Sequence, residues 1–319
     1  MTIPLVSILI PCYNAEPWIA ETLRSAQSQT WRKMEIIVVD DGSSDGTRSI
    51  LKSLLSPGIK VIEQDNQGAG AARNRALTEA QGEFIQFLDA DDLLAPDKIE
   101  VQVKRLSREP PDRIASGAWG RFYDAPNNTR FLPESVWTDL APVDWLVTSW
   151  CGGGMMASHS WLTPRTVIEK AGKWDETPSP VDDGEFFTRV VLNSSQVLFC
   201  GEARSYYRSG IEGSWSKRRT PEMLLAIYRS IETSTAHLLK TEDSPRTRKA
   251  CADHFQQFIY DIYPHMPYLI RRAEYKVRFL GGSDHKLAGG GTVFRLIANT
   301  LGWKPAKRIQ VFKRKVWSK

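Results

Sequence analysis

Short runs of Ile, Val and Leu alternate with amphipathic stretches through the first hundred residues or so. "VSILIP" (6–11) reads as a buried strand, and "NAEPWIAETLRSAQSQ" after it places Trp18, Ile19, Leu23 and Ala26 on one helical face. "MEIIVVDDGSSDGT" (34–47) is an Ile/Val strand that stops on Asp40-Asp41, followed by a Gly/Ser turn with Asp45 as the candidate cap of the helix "TRSILKSLLS". "KVIEQD" (60–65) reads as a third strand, "NQGAGAARNRALTEAQG" as a glycine turn and a helix closed by Gly82, and "EFIQFLDADD" as a fourth strand. Strand–helix alternation of this kind predicts an α/β fold on a parallel sheet.

Polar punctuation falls at the carboxyl ends of these strands: Tyr13-Asn14, Asp40-Asp41, Asn66 and Asp89 to Asp92. In open α/β sheets that edge binds ligands. The stretch "FIQFLDADDLLAPDKIE" (84–100) crowds Asp89, Asp91 and Asp92 at the edge of the core, where like charges repel and burial costs solvation. A solvated turn with a helix cap would account for them. So would a cation site, because an Asp-x-Asp offers hard oxygens to Mg²⁺ or Mn²⁺ and leaves the other positions to water and phosphate.

Beyond residue 113 the periodicity weakens and aromatics accumulate (Trp119, Trp137, Trp145, Trp150, Trp161), which reads as further strands and long loops of the same domain. After about 220 the pattern turns helical, with "GGSDHKLAGGG" (281–291) as a joint before a closing basic stretch. Two units are therefore expected, 1–220 and a helical extension 221–319 whose tail is about 292–319. Charge follows the same division: residues 1–219 hold 24 Lys and Arg against 29 Asp and Glu, and residues 220–319 hold 18 against 8. In "WKPAKRIQVFKRKVW", Ile309 and Phe312 stand at helical spacing between Trp303 and Trp317 with cations between, which suits peripheral contact with an anionic membrane.

Composition is that of a soluble globular protein, with 41% hydrophobic and 25% charged residues. No apolar run approaches the ~18 residues of a membrane span, and the N-terminus lacks a basic signal-peptide region. The expected location is the cytosol or the inner face of the cell membrane, so the four scattered cysteines (12, 151, 200, 251) read as reduced thiols. "GAGAAR" (68–73) lacks the third glycine of a dinucleotide fingerprint and follows the wrong strand, there is no P-loop, and the five histidines lack zinc spacing. No nucleic-acid partner is expected.

Taken in order, "VSILIPCYN", "IIVVDDGSSDGT", "NQGAGAARNRAL" and "FLDADD" resemble the consecutive motifs of the family-2 inverting glycosyltransferases of GT-A fold, a Rossmann-like, mainly parallel sheet flanked by helices. The likeness is close over about 4–100 and continues more loosely in "VIEKAGKWDE" (167–176) and "VDDGEFFTRV" (181–190). It implies transfer of a sugar from a nucleotide-diphosphate sugar, UDP above all, to an acceptor hydroxyl of a glycan or lipid-linked glycan. It places Pro11, Tyr13 and Asn14 at the base, an acid of the Asp40-Asp41 pair on base or ribose, and Asn66 and Arg73 near the nucleotide. Asp89 would meet ribose or donor sugar, Asp91 would hold Mn²⁺ or Mg²⁺, and Asp92 would cap a helix or support the site.

The same resemblance puts the general base in "DDGEFF", on Asp183, with Asp182 standing where the family usually has Glu; that leaves the assignment open by one position. Glu185 and Trp150, beside "CGGGMM", are acceptor-side candidates, and the other tryptophans are expected in the core. A second departure lies in "YYRSGIEGSWS" (206–216), where Gly210 replaces the histidine often found there and Arg208 or Lys217 could supply charge instead. A catalytically degenerate binding module is the non-enzymatic alternative. A sugar-nucleotide nucleotidyltransferase is the other, but "PCYNAEPW" has no Gly-rich triphosphate loop.

Overall fold

The structure, a computed structural model, describes residues 3–177, 182–211, 219–285 and 291–317. Lys217 lies outside the described residues, as does most of the "GS" loop. The sheet has strand order β3 (Ile59–Gln64), β2 (Met34–Asp41), β1 (Val6–Cys12), β4 (Phe84–Phe87) and β7 (Thr163–Pro164), with β1 to β4 mutually parallel and β7 antiparallel at the edge. Helices α1 (Ile19–Gln27), α2 (Thr47–Ser53) and α3 (Ala69–Glu79) make the crossovers. The expected mixed, mainly parallel sheet is present.

Period two fixes the faces. Ile8, Ile10, Ile36 and Val38 join one apolar cluster, whereas Leu9, Ile37 and Val39 join another on the opposite face. Pro11 is tolerated in this central strand because β4 pairing with β1 ends at Leu9↔Phe87, so the missing N–H falls beyond the last β4 partner.

Some boundaries move. The first helix begins at Ile19 rather than near 14, since Ala15 N–H is taken by Thr47 Oγ1 at 2.8 Å and the preceding turn is held to α2. The N-cap position of α2 falls on Gly46 rather than on Asp45, whose Oδ1 accepts the Thr47 N–H at 3.0 Å from one residue earlier. Gly82 does not close α3: the chain turns extended at Ala80, and Gly82 instead lies against β1, where a Cβ would stand 2.5 Å from Ser7 N. The fourth strand ends at Phe87, which leaves the three acids in the turn before β5 (Leu93–Leu94).

The middle of the chain builds a second sheet, order β5–β8 (Gln196–Arg208)–β6 (Arg113–Phe122), with β6 and β8 parallel. Helices α4 (Lys98–Leu106) and α5 (Pro142–Thr148) pack on it, α6 (Arg165–Ala171) lies against β4 and β7 of the first sheet, and α7 (Asp182–Leu192) packs against α5 and α6. Helices α8 (Pro221–Thr241), α9 (Pro245–Ile262) and α10 (Pro267–Phe279) follow, α8 capped by Thr220 and α9 by a Ser244–Thr247 capping box. Their Tyr228, Phe255, Phe258 and Leu269 belong to the same apolar cluster as Leu9, Phe87 and Phe186. The chain ends in α11 (Thr292–Leu301) and α12 (Trp303–Trp317).

Candidate active site

The strand ends converge as the sequence implies. After β1, Tyr13 stands 53% exposed while Asn14 adopts a left-handed backbone (φ 47°), its Oδ1 accepting the Ser44 N–H at 2.8 Å and its own N–H donating to Ser43 Oγ. Pro11 is buried in the strand. Both acids of the neighbouring pair are engaged internally. Asp40 takes Arg48 Nε at 2.7 Å and the Ser43 N–H at 3.2 Å, and the two Asp41 oxygens accept the N–H groups of Gln67 (2.9 Å) and Gly68 (2.8 Å). Asn66 donates to the Asp41 carbonyl at 3.0 Å, so these residues brace the cleft wall.

Arg73 organises the other half. It is 6% exposed; NH1 donates to Asp182 Oδ2 at 2.6 Å and NH2 to Asp89 Oδ1 at 2.8 Å, while the guanidinium lies 4.5 Å from the Trp174 ring centre. Burial opposes its charge, but Asp182 and Asp89 outweigh that and hold it ionised. One guanidinium thus clamps the Asp-x-Asp turn to the acidic first turn of α7. Trp174 is placed by Asn74, whose amide pairs with both its backbone groups (2.9 and 3.0 Å), and Gly70 admits the segment, since a Cβ there would stand 2.4 Å from Asp175 O.

Around this clamp the carboxylates differ. Burial would raise Asp89, but Arg73 holds it below the usual range, with Ser158 Oγ donating to its second oxygen at 3.2 Å. Asp91 is pushed well up by burial and then by Asp92 and Asp89, and its carboxylate makes no side-chain hydrogen bond or ion pair among the described residues. Burial raises Asp92 against the pull of His159, whose Nδ1 is 2.8 Å from Asp92 Oδ2; the other Asp92 oxygen accepts the Arg208 N–H at 2.8 Å. Arg208 further donates to the Asp91 carbonyl (2.8 Å) and to Glu21 (2.6 Å). Asp182 is bonded to Arg73 and to the Asp183 N–H. Among the described residues Asp183 accepts its neighbour Gly184 N–H alone, and burial followed by Asp182 pushes its carboxyl up to about 6.

Not every candidate converges. Glu185 is gripped on both oxygens by Arg189 at 2.7 Å, and Trp150 packs on the half-buried His254 of α9, with ring centres 4.6 Å apart. His159 and Ser158 were not foreseen. His159 is fully buried beneath the acid turn, contributed from a stretch with no periodic pattern, and no spacing in the sequence ties it to Asp92.

The family profile described as glycosyl transferase family 2 matches residues 7–169, which contain the cleft wall, Arg73 and the Asp-x-Asp turn. The chain belongs to glycosyl transferase family 2. This is a family of inverting glycosyltransferases. Among its relatives, TuaG of Bacillus subtilis (strain 168), named as a teichuronic acid biosynthesis glycosyltransferase, is 44% identical over 104 residues, which is 32% of this chain and 41% of TuaG. The match thus spans about two fifths of that relative's length. Among solved structures, S. aureus TarS in complex with UDP-GlcNAc superposes with a TM-score of 0.70 at 19% identity, over 86% of this chain and 81% of that one. The mannosyltransferase PcManGT of Pyrobaculum calidifontis, in complex with GDP-Man and Mn²⁺, gives 0.56 at 18% identity over 98% and 84%. The family-2 chain therefore has the GT-A-like fold with a helical C-terminal region.

A divalent cation fits this donor set. Asp91 is pushed up by burial and by Asp92 and Asp89 and makes no ion pair among the described residues, which is the imbalance a dication corrects. No cluster of three or more His, Cys, Asp or Glu poised to hold a metal occurs among the described residues, so most of the shell would come from water and ligand phosphate.

Proposed function

We propose that the protein transfers a sugar, with inversion, from a nucleotide-diphosphate sugar to a hydroxyl of a glycan or lipid-linked glycan. The carrying observation is the Arg73 clamp, which sets the Asp-x-Asp turn against the Asp182-Asp183 pair, where Asp183 makes no ion pair among the described residues. Tyr13 and Asn14 line the base side of the donor cleft, with Pro11, Asp40, Asp41 and Asn66 shaping its wall. Asp91 would hold Mn²⁺ or Mg²⁺, which supplies charge neutralisation to the departing diphosphate. Asp89, kept ionised by Arg73, hydrogen-bonds the donor, and Arg208 fixes the backbone of the turn.

In the transfer step the acceptor oxygen attacks the anomeric carbon as its proton passes to Asp183, and the bond from that carbon to the diphosphate oxygen breaks. A carboxyl poised near 6 is ionised at neutral pH and basic enough to take that proton. Asp182 is occupied by Arg73 and serves as a positioning residue. Glu185 and Trp150 belong to the scaffold.

UDP is the favoured nucleotide, consistent with the UDP-GlcNAc bound by TarS, and surface-polysaccharide assembly is the favoured setting, consistent with TuaG. Residues 1–220 would be the transferase unit and 221–319 its extension, acting on the inner face of the cell membrane. No helix among the described residues is long and apolar enough to cross a membrane.

Release of nucleoside diphosphate and glycoside product from a panel of UDP-, GDP-, CDP- and dTDP-sugars tests the proposal. Turnover by wild type that Asp183→Asn abolishes, with inverted anomeric configuration in the product, supports it; nucleotide binding with no turnover on any acceptor would favour the binding-module reading.

A further inference from the structure

A cavity of about 440 Å³ opens on the second sheet, where the end of β6 meets the segment after it, away from the ends of β1 and β2. Trp119, Arg121, Tyr123, Arg130, Glu134 and Trp137 line it. Its size is in the range of small-ligand sites. Two features point to an occupant. Glu134 uses Oε2 to accept the Met155 N–H at 3.0 Å, and no bond occupies its other oxygen among the described residues. Tyr123 and Leu132 project at the rim, 65% and 71% exposed.

The walls are also joined to the acid site. Trp119 Nε1 donates to the Met155 carbonyl (3.0 Å) while Glu134 takes the Met155 N–H, so the cavity holds this strap from both sides. Three residues on, Ser158 donates to Asp89. Gly154 permits the approach, as a Cβ there would lie 2.5 Å from the Glu134 side chain. From the other wall, the Arg121 guanidinium lies 4.8 Å from the Tyr207 ring centre and donates to Ser209, next to the Arg208 that binds the Asp-x-Asp turn. Gly210 sits beneath Tyr123, where a Cβ would be 3.2 Å from the ring, so the glycine at this position keeps the tyrosine's place open.

We propose that this cavity is a saccharide subsite for the acceptor glycan, holding a sugar unit beyond the one that receives the transfer. Aromatic faces take the apolar faces of a sugar ring, and the carboxylate and guanidinium groups around them take its hydroxyls. A greasy small molecule would strand Glu134, Arg121 and Arg130, and none of the strand-end residues assigned to the nucleotide lines the cavity. The inference rests on the glycosyltransferase reading and supplies its acceptor side.

The test uses the full-length protein and a printed panel of di- to hexasaccharides built from neutral, amino and uronic-acid sugars. Any binder is then titrated against wild type, Tyr123→Ala and Glu134→Gln, with UDP and GDP affinity measured in parallel. Both changes should weaken oligosaccharide binding about tenfold or more, the scale of one lost ring stack or charged hydrogen bond. Tyr123 is at the surface and its substitution leaves the fold intact, so a loss there is a loss of contact. Oligosaccharide affinity equal in all three proteins overturns the subsite. So does nucleotide binding with no oligosaccharide bound. Binding of neither class overturns the glycosyltransferase reading together with it.

Discussion

Asp183 and Asp182 are adjacent in sequence and opposite in circumstance. Asp182 gives one oxygen to Arg73, whereas Asp183 makes no ion pair among the described residues and is pushed up to about 6 by burial and by Asp182. Asp183→Asn should lower kcat about 10²- to 10⁴-fold, the usual worth of a positioned general base, with nucleotide affinity unchanged in calorimetry. The wild-type rate should rise with pH through about 6, because the base works deprotonated and protonates as pH falls below that value. A rate that falls across that interval would contradict the assignment. Removing the clamp is a different experiment. Arg73→Met leaves the half-buried Asp89 and Asp182 without their buried cation, which should cost about 1–3 kcal/mol of stability, read as a lower Tm and a smaller urea midpoint. The residue types of this site were legible because four motifs fall in order on four strand ends. Arg73's dual partnership was not, since Asp89 and Asp182 are brought together only by folding.

Between elements, the crossing of α3 with the Trp174 segment is set by one glycine and one amide. A methyl at Gly70 would press on the Asp175 carbonyl at 2.4 Å, so Gly70→Ala should destabilise by about 1–3 kcal/mol in chemical denaturation and displace Trp174 from the face of Arg73. Strands β1 to β4 and their helices were readable because each buries a face with a clear period. The second sheet was not readable in detail. β5 has two residues and β8 pairs with strands distant in sequence, so nothing local announces their register. Trp119, Trp137 and Trp150 show the same limit: an indole's burial follows from its size, but which indole faces a cavity depends on neighbours such as Met155 and His254.

At the scale of the molecule, charge and surface belong together at the C-terminus. Trp303, at the start of the basic stretch, packs on Tyr260 and Tyr263 at 5.6 and 5.2 Å, which docks α12 on α9. Leu296, Leu301, Ile309 and Phe312 remain exposed, near cations such as Lys304 and Arg308. If this face meets an anionic bilayer, Ile309→Asp/Phe312→Asp should reduce co-sedimentation with phosphatidylglycerol vesicles and leave binding to neutral vesicles at background. Equal sedimentation of wild type and variant would remove the membrane from the account.

The claim that joins these scales is that the crowded acids form a cation–diphosphate site. Calorimetry of UDP, GDP, CDP and dTDP with and without Mn²⁺, on wild type and Asp91→Ala, addresses it most directly. The account predicts metal-dependent binding of one nucleotide by wild type and its loss in the variant. Binding that ignores both the metal and the substitution, or no binding at all, would contradict it.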